Sequence, residues 1–389
     1  MIDFDLGEAL TALRDRVRAF VDSEVIPREQ EIARAPDVID RLRRELQDRA
    51  KRAGLFLPTC SKELGGLGLS WREIAVVLEE AGRSLLGPQA LNCSAPDEGN
   101  LHLLAQVGSE AQRRRYLLPL AAGEIRSSFA MTEPMPGAGS DPSLLITRAE
   151  RRGSVWVLDG EKWFTTGLSG AAFVIVLARA PEGPTMFIVD KGNRGLRSIR
   201  TTIPTLDQFT PGGHGHFELS SCEVGDDAVL GEPGKGFEYA QLRLVPARLT
   251  HCMRWLGVAV RSMEIATRYA AERTSFGHLL AEHQMVQSFI ADSLIDIEAG
   301  RLLIWKTAWK LDRGEQPRHE SSIAKVFVAE AVNRIVDRAV QICGALGISE
   351  DTPLSIFYRE ARPFRIYDGP SEVHRASIAR RVFRRLGQR

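Results

Sequence analysis

The sequence predicts an α+β fold, mainly α, with an N-terminal helical domain over residues 1–125, a central antiparallel β-domain over 126–235 and a C-terminal helical domain over 236–389. Three observations predict it. Apolar residues recur three or four apart in both outer thirds. From about Ser127 the texture changes to short β-prone runs broken by Gly, Pro and Asp. No helix-length segment separates consecutive β-prone runs, which argues against parallel β-α-β units.

In the first third the helical period covers 9–26, 38–53, 71–84 and 110–120. Gly65, Gly66 and Gly68, then Gly87-Pro88, break it. Ser70 reads as an N-cap with Glu73 three residues on, the spacing of a capping box. In the middle, 155–158, 173–177, 186–189 and 216–219 read as strands of a small barrel or sandwich. From Gly236 long helical segments return over 237–273, 284–311, 321–346 and 371–385, enough for a bundle. Pro246 lies inside the first of them and should bend it or mark its true start. The chain shows no internal repeat and no low-complexity tract.

Composition excludes several classes. The 389 residues carry 51 Lys and Arg against 50 Asp and Glu, a formal charge of +1, so no global field draws the protein to nucleic acid or an anionic membrane. An anionic ligand must then meet local arginines. Cys60, Cys93, Cys222, Cys252 and Cys343 are odd in number and without metal-ligand spacing, which argues against a disulfide framework and a zinc site. A reducing cytosol fits that usage. The first ten residues are acidic and lack the apolar core of a secretory signal. No apolar run approaches the roughly 20 residues a membrane helix needs. A soluble cytoplasmic protein is the expectation.

Six features carry chemistry. Phe129 to Asp141, with Met131, Thr132, Gly137 and Ser140, sets hydroxyls and close-approach glycines on a loop leaving the first strand, where N–H and hydroxyl donors could meet a heteroaromatic ring or a phosphate. An ordinary Gly/Pro turn explains it equally well. Gly160 to Gly167 brings Trp163, Phe164, Thr165 and Thr166 to a strand end, which suits stacking and edge donors for a flat ring or simply a hairpin core. Arg273 to Gly277 closes a long helix with an Arg and Phe276, followed by His283-Gln284; this could hold a pyrophosphate and pack on adenine, or could be a plain helix terminus. Gln341 to Gly347 ends another helix with two glycines, of which a plain C-cap explains only the second. Arg248 and Arg254, six apart, lie far from each other around their helix, which suits different jobs: one could meet a ligand phosphate, and either could equally be a solvated ion-pair residue. Last, Tyr367-Asp368-Gly369-Pro370-Ser371-Glu372 puts a carboxylate in a tight turn before a helix. Asp368 is a natural turn and cap residue there; as a base it would need desolvation, against the pull of the helix N-terminus.

Together, in this order and from about Asp15 to Arg381, these motifs resemble the acyl-CoA dehydrogenase family. The stretch from Leu57 to Ser70 and the run Gly108-Ser109-Glu110-Ala111-Gln112 are similar to that family's early helical motifs. Val245 to Arg254 and Asp368 to His374 resemble the branch that includes the animal family members ten and eleven, which also carries an Asp base. The resemblance implies an N-terminal helical domain, a central β-domain and a C-terminal four-helix bundle, with FAD between the last two and reaching a neighbouring subunit. It implies that Met131, Thr132, Phe164 and Thr166 line the flavin, and that Arg273, Phe276, Gln284, Gln341, Gly344 and Glu372 meet the rest of FAD. Ser140, Arg248 and Gly369 would hold the coenzyme A substrate, and Asp368 would take its α-proton. Three positions depart from the family. The base is Asp where many relatives have Glu; the flavin-facing aromatic is Phe164, or Trp163 by a one-residue shift; and Met135-Pro136 lengthen the loop before Gly137.

The implied reaction is FAD-dependent α,β-dehydrogenation of an acyl-CoA thioester to the trans-2-enoyl-CoA, with the thioester carbonyl held by the flavin ribityl chain and the Asp368 N–H, and the hydride passing to flavin N5. The implied partners are an electron-transfer flavoprotein or similar acceptor and further copies of the chain, as a homotetramer or homodimer. Two other readings share the scaffold: a nitroalkane-oxidising flavin oxidase, against which Arg248 counts, and a silent acyl-CoA-binding paralogue in which Asp368 only caps a helix.

Overall fold

The computed structural model describes residues 4–34, 38–206 and 209–387. Helices α1 (Gly7–Phe20), α2 (Glu29–Arg34), α3 (Ile39–Arg52), α4 (Trp71–Ala81), α5 (Gly87–Ala90), α6 (Asp97–Val107), α7 (Glu110–Gln112) and α8 (Leu118–Ala121) come first. Strands β1 (Ser127–Ala130), β2 (Arg148–Arg152), β3 (Val155–Thr166), β4 (Phe173–Ala180), β5 (Gly183–Asp190), β6 (Leu196–Arg200), β7 (His214–Gly225) and β8 (Val229–Leu230) follow. Then come α9 (Gly236–Glu272), the hairpin β9 (Thr274–Ser275) and β10 (His278–Leu279), α10 (Gln284–Asp312), α11 (Arg318–Cys343), α12 (Ala345–Ile348), α13 (Leu354–Ala361) and α14 (Ser371–Gly387). The order is helices, sheet, helices, as the sequence predicts. Contacts group these elements into two compact units. One holds the described residues up to Gln30, Leu69–Pro88 and the chain from Arg248 on; the other holds Glu31–Gly68 and Gln89–Ala247.

The second unit is built on one sheet of order β6-β7-β3-β2-β4-β5-β8. β4 is almost continuously apolar and buried, as a strand covered on both faces must be. It pairs antiparallel with β5, placing Val174 opposite Val189 and Val176 opposite Phe187. These side chains join Trp156, Leu158 and Phe217 in the core. The pairing is antiparallel except along β4, where β1 runs parallel from Ser127 opposite Phe173 to Ala130 opposite Val176, and Arg148 of β2 makes one parallel bridge. Parallel neighbours need a long connection, and the segment containing β2 and β3 supplies it. Helix α6 fixes where β1 begins: the Asp97 carboxylate accepts from both the N–H and the hydroxyl of Ser127 at 2.7 Å, and Asn100 donates to Ser127 Oγ at 2.8 Å.

In the first unit, α4 opens with the expected capping box, Ser70 Oγ accepting from Glu73 N at 3.3 Å and Ser70 N donating to Glu73 Oε2 at 2.7 Å. Its C-terminal end meets α9 at two glycines. A Cβ on Gly82 would lie 2.0 Å from Arg254 O, and one on Gly257 2.1 Å from Glu79 O, so only glycine lets these backbones touch. Asp296 on α10 pairs with Arg334 at 2.7 Å and Arg338 at 2.9 Å on α11, which sets an antiparallel register with the start of α10 level with the end of α11. α9 runs unbroken through Pro246, so that proline does not mark its start. α11 stops at Cys343 rather than near 346, because Gly344 turns the chain with φ +57.

Candidate active site

A 3₁₀ turn, Arg362–Arg365, leads into the segment joining α13 to α14, and Asp368 sits there with φ 54, followed by Gly369 with φ 96. Left-handed backbone is uncommon for a residue with a Cβ, though Asp tolerates it better than most. Side chains from three helices hold the turn at its main-chain oxygens. Arg248 Nε of α9 donates to Asp368 O at 2.9 Å. Lys325 Nζ of α11 donates to Phe364 O at 2.7 Å and Gly369 O at 2.9 Å. His374 Nε2 of α14 lies 3.1 Å from Asp368 O, and its Nδ1 3.1 Å from Ser322 Oγ. Since a carbonyl only accepts, Nε2 carries the ring proton, and the Ser322 hydroxyl shares its one proton between Nδ1 and Arg318 O at 3.0 Å.

The Asp368 side chain is 18% exposed, beside His251 at 14%, with His251 Nε2 3.2 Å from Asp368 Oδ2. Aromatic rings close in around it: His251 lies 5.0 Å from Tyr367, Trp255 stacks on Phe364 at 5.8 Å, and Trp255 Nε1 donates to Tyr367 Oη at 2.6 Å. Burial pulls Lys325 down to about 8, against the attraction of Asp368. Burial, helped by the Arg248 charge, pulls His374 down to about 4, so it is neutral at pH 7. Burial likewise pushes the Cys252 thiol up to about 12. The result is a shielded carboxylate on a rigidly held turn, a geometry suited to taking a proton from carbon.

The predicted flavin-edge residues gather on the second unit. Trp163 N donates to Thr132 O at 3.1 Å, joining the Met131-Thr132 segment to the end of β3. Lys162 and Glu133, both with side chains 0% exposed, pair at 2.8 Å beneath it, and Lys162 Nζ also reaches Met131 O at 3.2 Å. Glu133 further accepts from the N–H groups of Ala138, Ile146 and Thr147. The loop closes so tightly that a Cβ on Gly137 would lie 2.5 Å from Glu133 Oε2. Opposite β7, Trp163 and Phe164 together face one residue, His216, between the pairs Lys162–Phe217 and Thr165–Gly215. This is a β-bulge, and Phe164 takes φ 49 within it. The bulge cancels strand alternation locally: both rings emerge side by side, 5.0 Å apart, and Phe164 is 45% exposed. Thr166 Oγ1 is 3.1 Å from His214 Nδ1. Ser140 is exposed on the preceding loop.

The remaining predicted residues lie on the first unit and are exposed. Arg273 precedes the β9–β10 hairpin, whose turn is Phe276 at φ 52 and Gly277 at φ 83, both signs a primed turn requires. Phe276 is 94% exposed. Gln284 opens α10, and the α10–α11 register brings it to the same end as Gln341 and Gly344. The roles of the two glycines are reversed from the sequence reading. Gly344 is the helix-ending residue and faces open space, whereas a Cβ on Gly347 would lie 2.6 Å from Val340 O. Glu372 stands in the first turn of α14.

Sequence reasoning passed over Lys325, His251 and His374 as site residues, and Glu133 with Lys162 as their counterpart in the second unit. Two signals were available. Ser321, Lys325, Val328 and Val332 share one buried stripe of α11, so a lysine on that stripe had to find acceptors. Arg248, His251 and Trp255 are spaced three and four apart on one face of α9. Among the described residues no group of His, Cys, Asp and Glu could hold a metal ion, and no helix is long and apolar enough to cross a membrane.

Family models match the chain as "Acyl-CoA dehydrogenase, N-terminal domain" over residues 7–124, "middle domain" over 128–217 and "C-terminal domain" over 234–383. Probable acyl-CoA dehydrogenase FadE2 of Mycobacterium tuberculosis is 39% identical, across 89% of this chain and 86% of its own length. Acyl-CoA dehydrogenase family member 11 of Gallus gallus is 36% identical across 94% of this chain; the chain spans about half the length of that relative, 49%. A solved structure from Mycobacterium abscessus, assigned to the acyl-CoA dehydrogenases, has a TM-score of 0.91 at 35% identity, covering 98% of this chain and 100% of that one.

Proposed function

The chain belongs to the acyl-CoA dehydrogenase family, and we propose that it converts an acyl-CoA thioester to the trans-2-enoyl-CoA with Asp368 as the base. The observation that carries this is the shielded Asp368 carboxylate on a turn gripped by Arg248, Lys325 and His374. Asp is one methylene shorter than Glu, and the clamped left-handed turn compensates by fixing where the short side chain starts.

Members of the family are FAD-dependent. The residues here fit that cofactor: the exposed Phe164 ring beside the Thr132 and Thr166 hydroxyls suits the rim of a flat tricycle. Phe276, an exposed aromatic in left-handed backbone, is an outlier of the kind that marks a contact surface. Arg273, Gln284, Gln341, Gly344 and Glu372 would take the pyrophosphate and adenine portion with it. When bound, FAD supplies the acceptor for the hydride of the β-carbon. The chain's own groups do the rest. The Asp368 carboxylate accepts the α-proton, and the Asp368 N–H faces the thioester oxygen, where charge develops. Arg248, whose Nε is engaged by the turn, offers its terminal N–H groups to the coenzyme A portion, to which Ser140 and Gly369 are assigned as well.

We assign reoxidation to an electron-transfer flavoprotein or similar acceptor, and the assembly to a homotetramer, or a homodimer. Exposed apolar side chains on α10 (Met285, Leu294, Ile295) and α14 (Val382, Phe383, Leu386) support a second copy of the chain. The five free cysteines support a reducing, cytoplasmic setting.

The test is a visible spectrum during anaerobic titration with a panel of acyl-CoAs. Bleaching of the flavin band by one of them supports the reading. Oxygen consumption on nitroalkanes with no response to any thioester replaces it with the oxidase, and colourless protein that cannot be reconstituted with FAD replaces it with the silent paralogue.

A further inference from the structure

The clamp described above acts on the main chain of the turn and leaves the torsion of the Asp368 side chain to be set by something else. His251 is placed to set it. Its Nε2 is 3.2 Å from Asp368 Oδ2, an ion-pair distance that does not meet hydrogen-bond geometry in this structure, its ring is packed by Tyr367 and Phe364 at 5.0 and 6.1 Å, and it sits one helical turn from Arg248 on the same face of α9. A carboxylate on one methylene has only two torsions between its clamped Cα and its oxygens, so holding one oxygen orients the other. Contacts of this kind shorten when the substrate is seated and water is displaced.

We propose that His251 is a positioning residue for the base: it holds Oδ2 of Asp368 and so presents Oδ1 to the substrate α-carbon. This rests on the dehydrogenase reading and adds a residue to it. In the step concerned the α-C–H bond breaks, its proton passes to Asp368 Oδ1, and the electron pair stays on the thioester as its enolate. His251 keeps its N–H throughout and donates to the oxygen that does not react. A donor to the charged form also makes the carboxylate a weaker base, so His251 exchanges basicity for aim. The other charged or titratable groups facing this carboxylate are Arg248 and Cys252 on α9, Lys325 on α11, His374 on α14 and Tyr367 on its own turn; the first, third and fourth engage main-chain oxygens.

The experiment isolates proton removal from the redox step. FAD-loaded protein is given 3-thiaoctanoyl-CoA, in which sulfur replaces the β-carbon and no hydride can leave, and exchange of its α-hydrogens into D2O is followed by mass spectrometry. His251→Phe keeps the ring packing and lacks the donor; His251→Gln returns an N–H at the same reach. The expected result is a fall in exchange of about 10- to 100-fold for His251→Phe, the usual weight of a hydrogen bond to a charged group. Ligand affinity, flavin content and melting temperature stay at wild-type values. The acid limb of the exchange profile moves to higher pH, and His251→Gln recovers to within about threefold. Wild-type exchange with an unchanged rate and pH limb in His251→Phe overturns the role of His251 and leaves the dehydrogenase reading standing. Absence of exchange in the wild type, together with no bleaching by acyl-CoAs, removes both. Loss of flavin or of folding in His251→Phe that His251→Gln does not correct also overturns the proposal, since it makes the histidine structural.

Discussion

Replacing Lys162 with Met tests whether a buried ion pair underpins the proposed flavin edge. Lys162 and Glu133 have no exposed side-chain surface and lie 2.8 Å apart. Burial alone would raise the Glu133 carboxyl, yet the Lys162 charge, its hydrogen bond and the backbone donors hold it near 2. Lys162 has fewer compensating partners, so for it burial wins, and it falls to about 8 against the pull of Glu133. Lys162→Met removes the cation and the donor to Met131 O while leaving the carboxylate sealed in. Breaking a buried pair on one side costs about 3–5 kcal/mol. The N–H groups of Ala138, Ile146 and Thr147 remain, which places the expected cost near the lower figure, about 3 kcal/mol. For a unit of roughly 200 residues each kcal/mol moves the midpoint by about 2–4 °C, so the melt should drop by about 6–12 °C. The assay is a paired thermal scan of circular dichroism and free-flavin fluorescence, and flavin should be released before the fold melts. The double variant Lys162→Met with Glu133→Gln should be more stable than the sum of the single losses. A midpoint within about 1 °C of wild type, or strict additivity in the double variant, would refute the reasoning.

Asp368→Asn should keep FAD and bind acyl-CoA while the rate of flavin reduction in stopped flow falls by roughly 10²–10⁴-fold, the usual weight of a positioned base; unchanged reduction would remove Asp368 from that role. Gly257→Ala should destabilise the first unit by about 1–3 kcal/mol in urea titration, because its Cβ would lie 2.1 Å from Glu79 O. Gly300→Ala is the contrasting case in mid-helix: its Cβ would meet Leu256 and Val328 side chains at 3.5 Å, so the change should be neutral or stabilising by up to about 1 kcal/mol. His374 stays unprotonated in the fold down to about 4, while the unfolded chain binds that proton near 6.5, so stability should decline as pH falls from 6.5 towards 4. Glu133 adds a second decline as pH falls from 4.5 towards 2, and His374→Asn should flatten only the first in urea midpoints measured against pH.

Much of the fold was legible because long periodic segments dominate it. The predicted helices at 284–311 and 71–84 appear as α10 and α4, and the strand signal beginning at Ser127 is β1. Periodicity missed α6, whose run of Asp, Gly, Asn and His carries little helical signal and which stands by gripping Ser127. It also missed α13, eight residues bounded by Pro353 and Pro363. Parallel pairing of β1 with β4 was invisible, since its partners lie more than forty residues apart and nothing local marks them. Asp368 stood out in the sequence by its turn signature, and the structure puts it on a held turn; Met131, Thr132 and Phe164 stood out by their motifs, and the structure gathers them near the end of β3. The side chains that hold them did not stand out, because Lys325 and Lys162 look like ordinary charged residues until a buried stripe or strand face is counted around them. The Trp163 and Phe164 ambiguity had a physical source: a bulge places both rings on the same edge, so neither alternative follows from strand alternation.

The grip on the Asp368 turn makes the carboxylate a gauge of helix alignment. Three helices each contribute one anchor to two adjacent peptide units, so a lengthwise slip of any one by a single residue, about 1.5 Å, would drag an anchor off its oxygen. Substitutions remote from the turn that shift α9, α11 or α14 along their axes should therefore surface as slow proton removal in a protein that still melts normally.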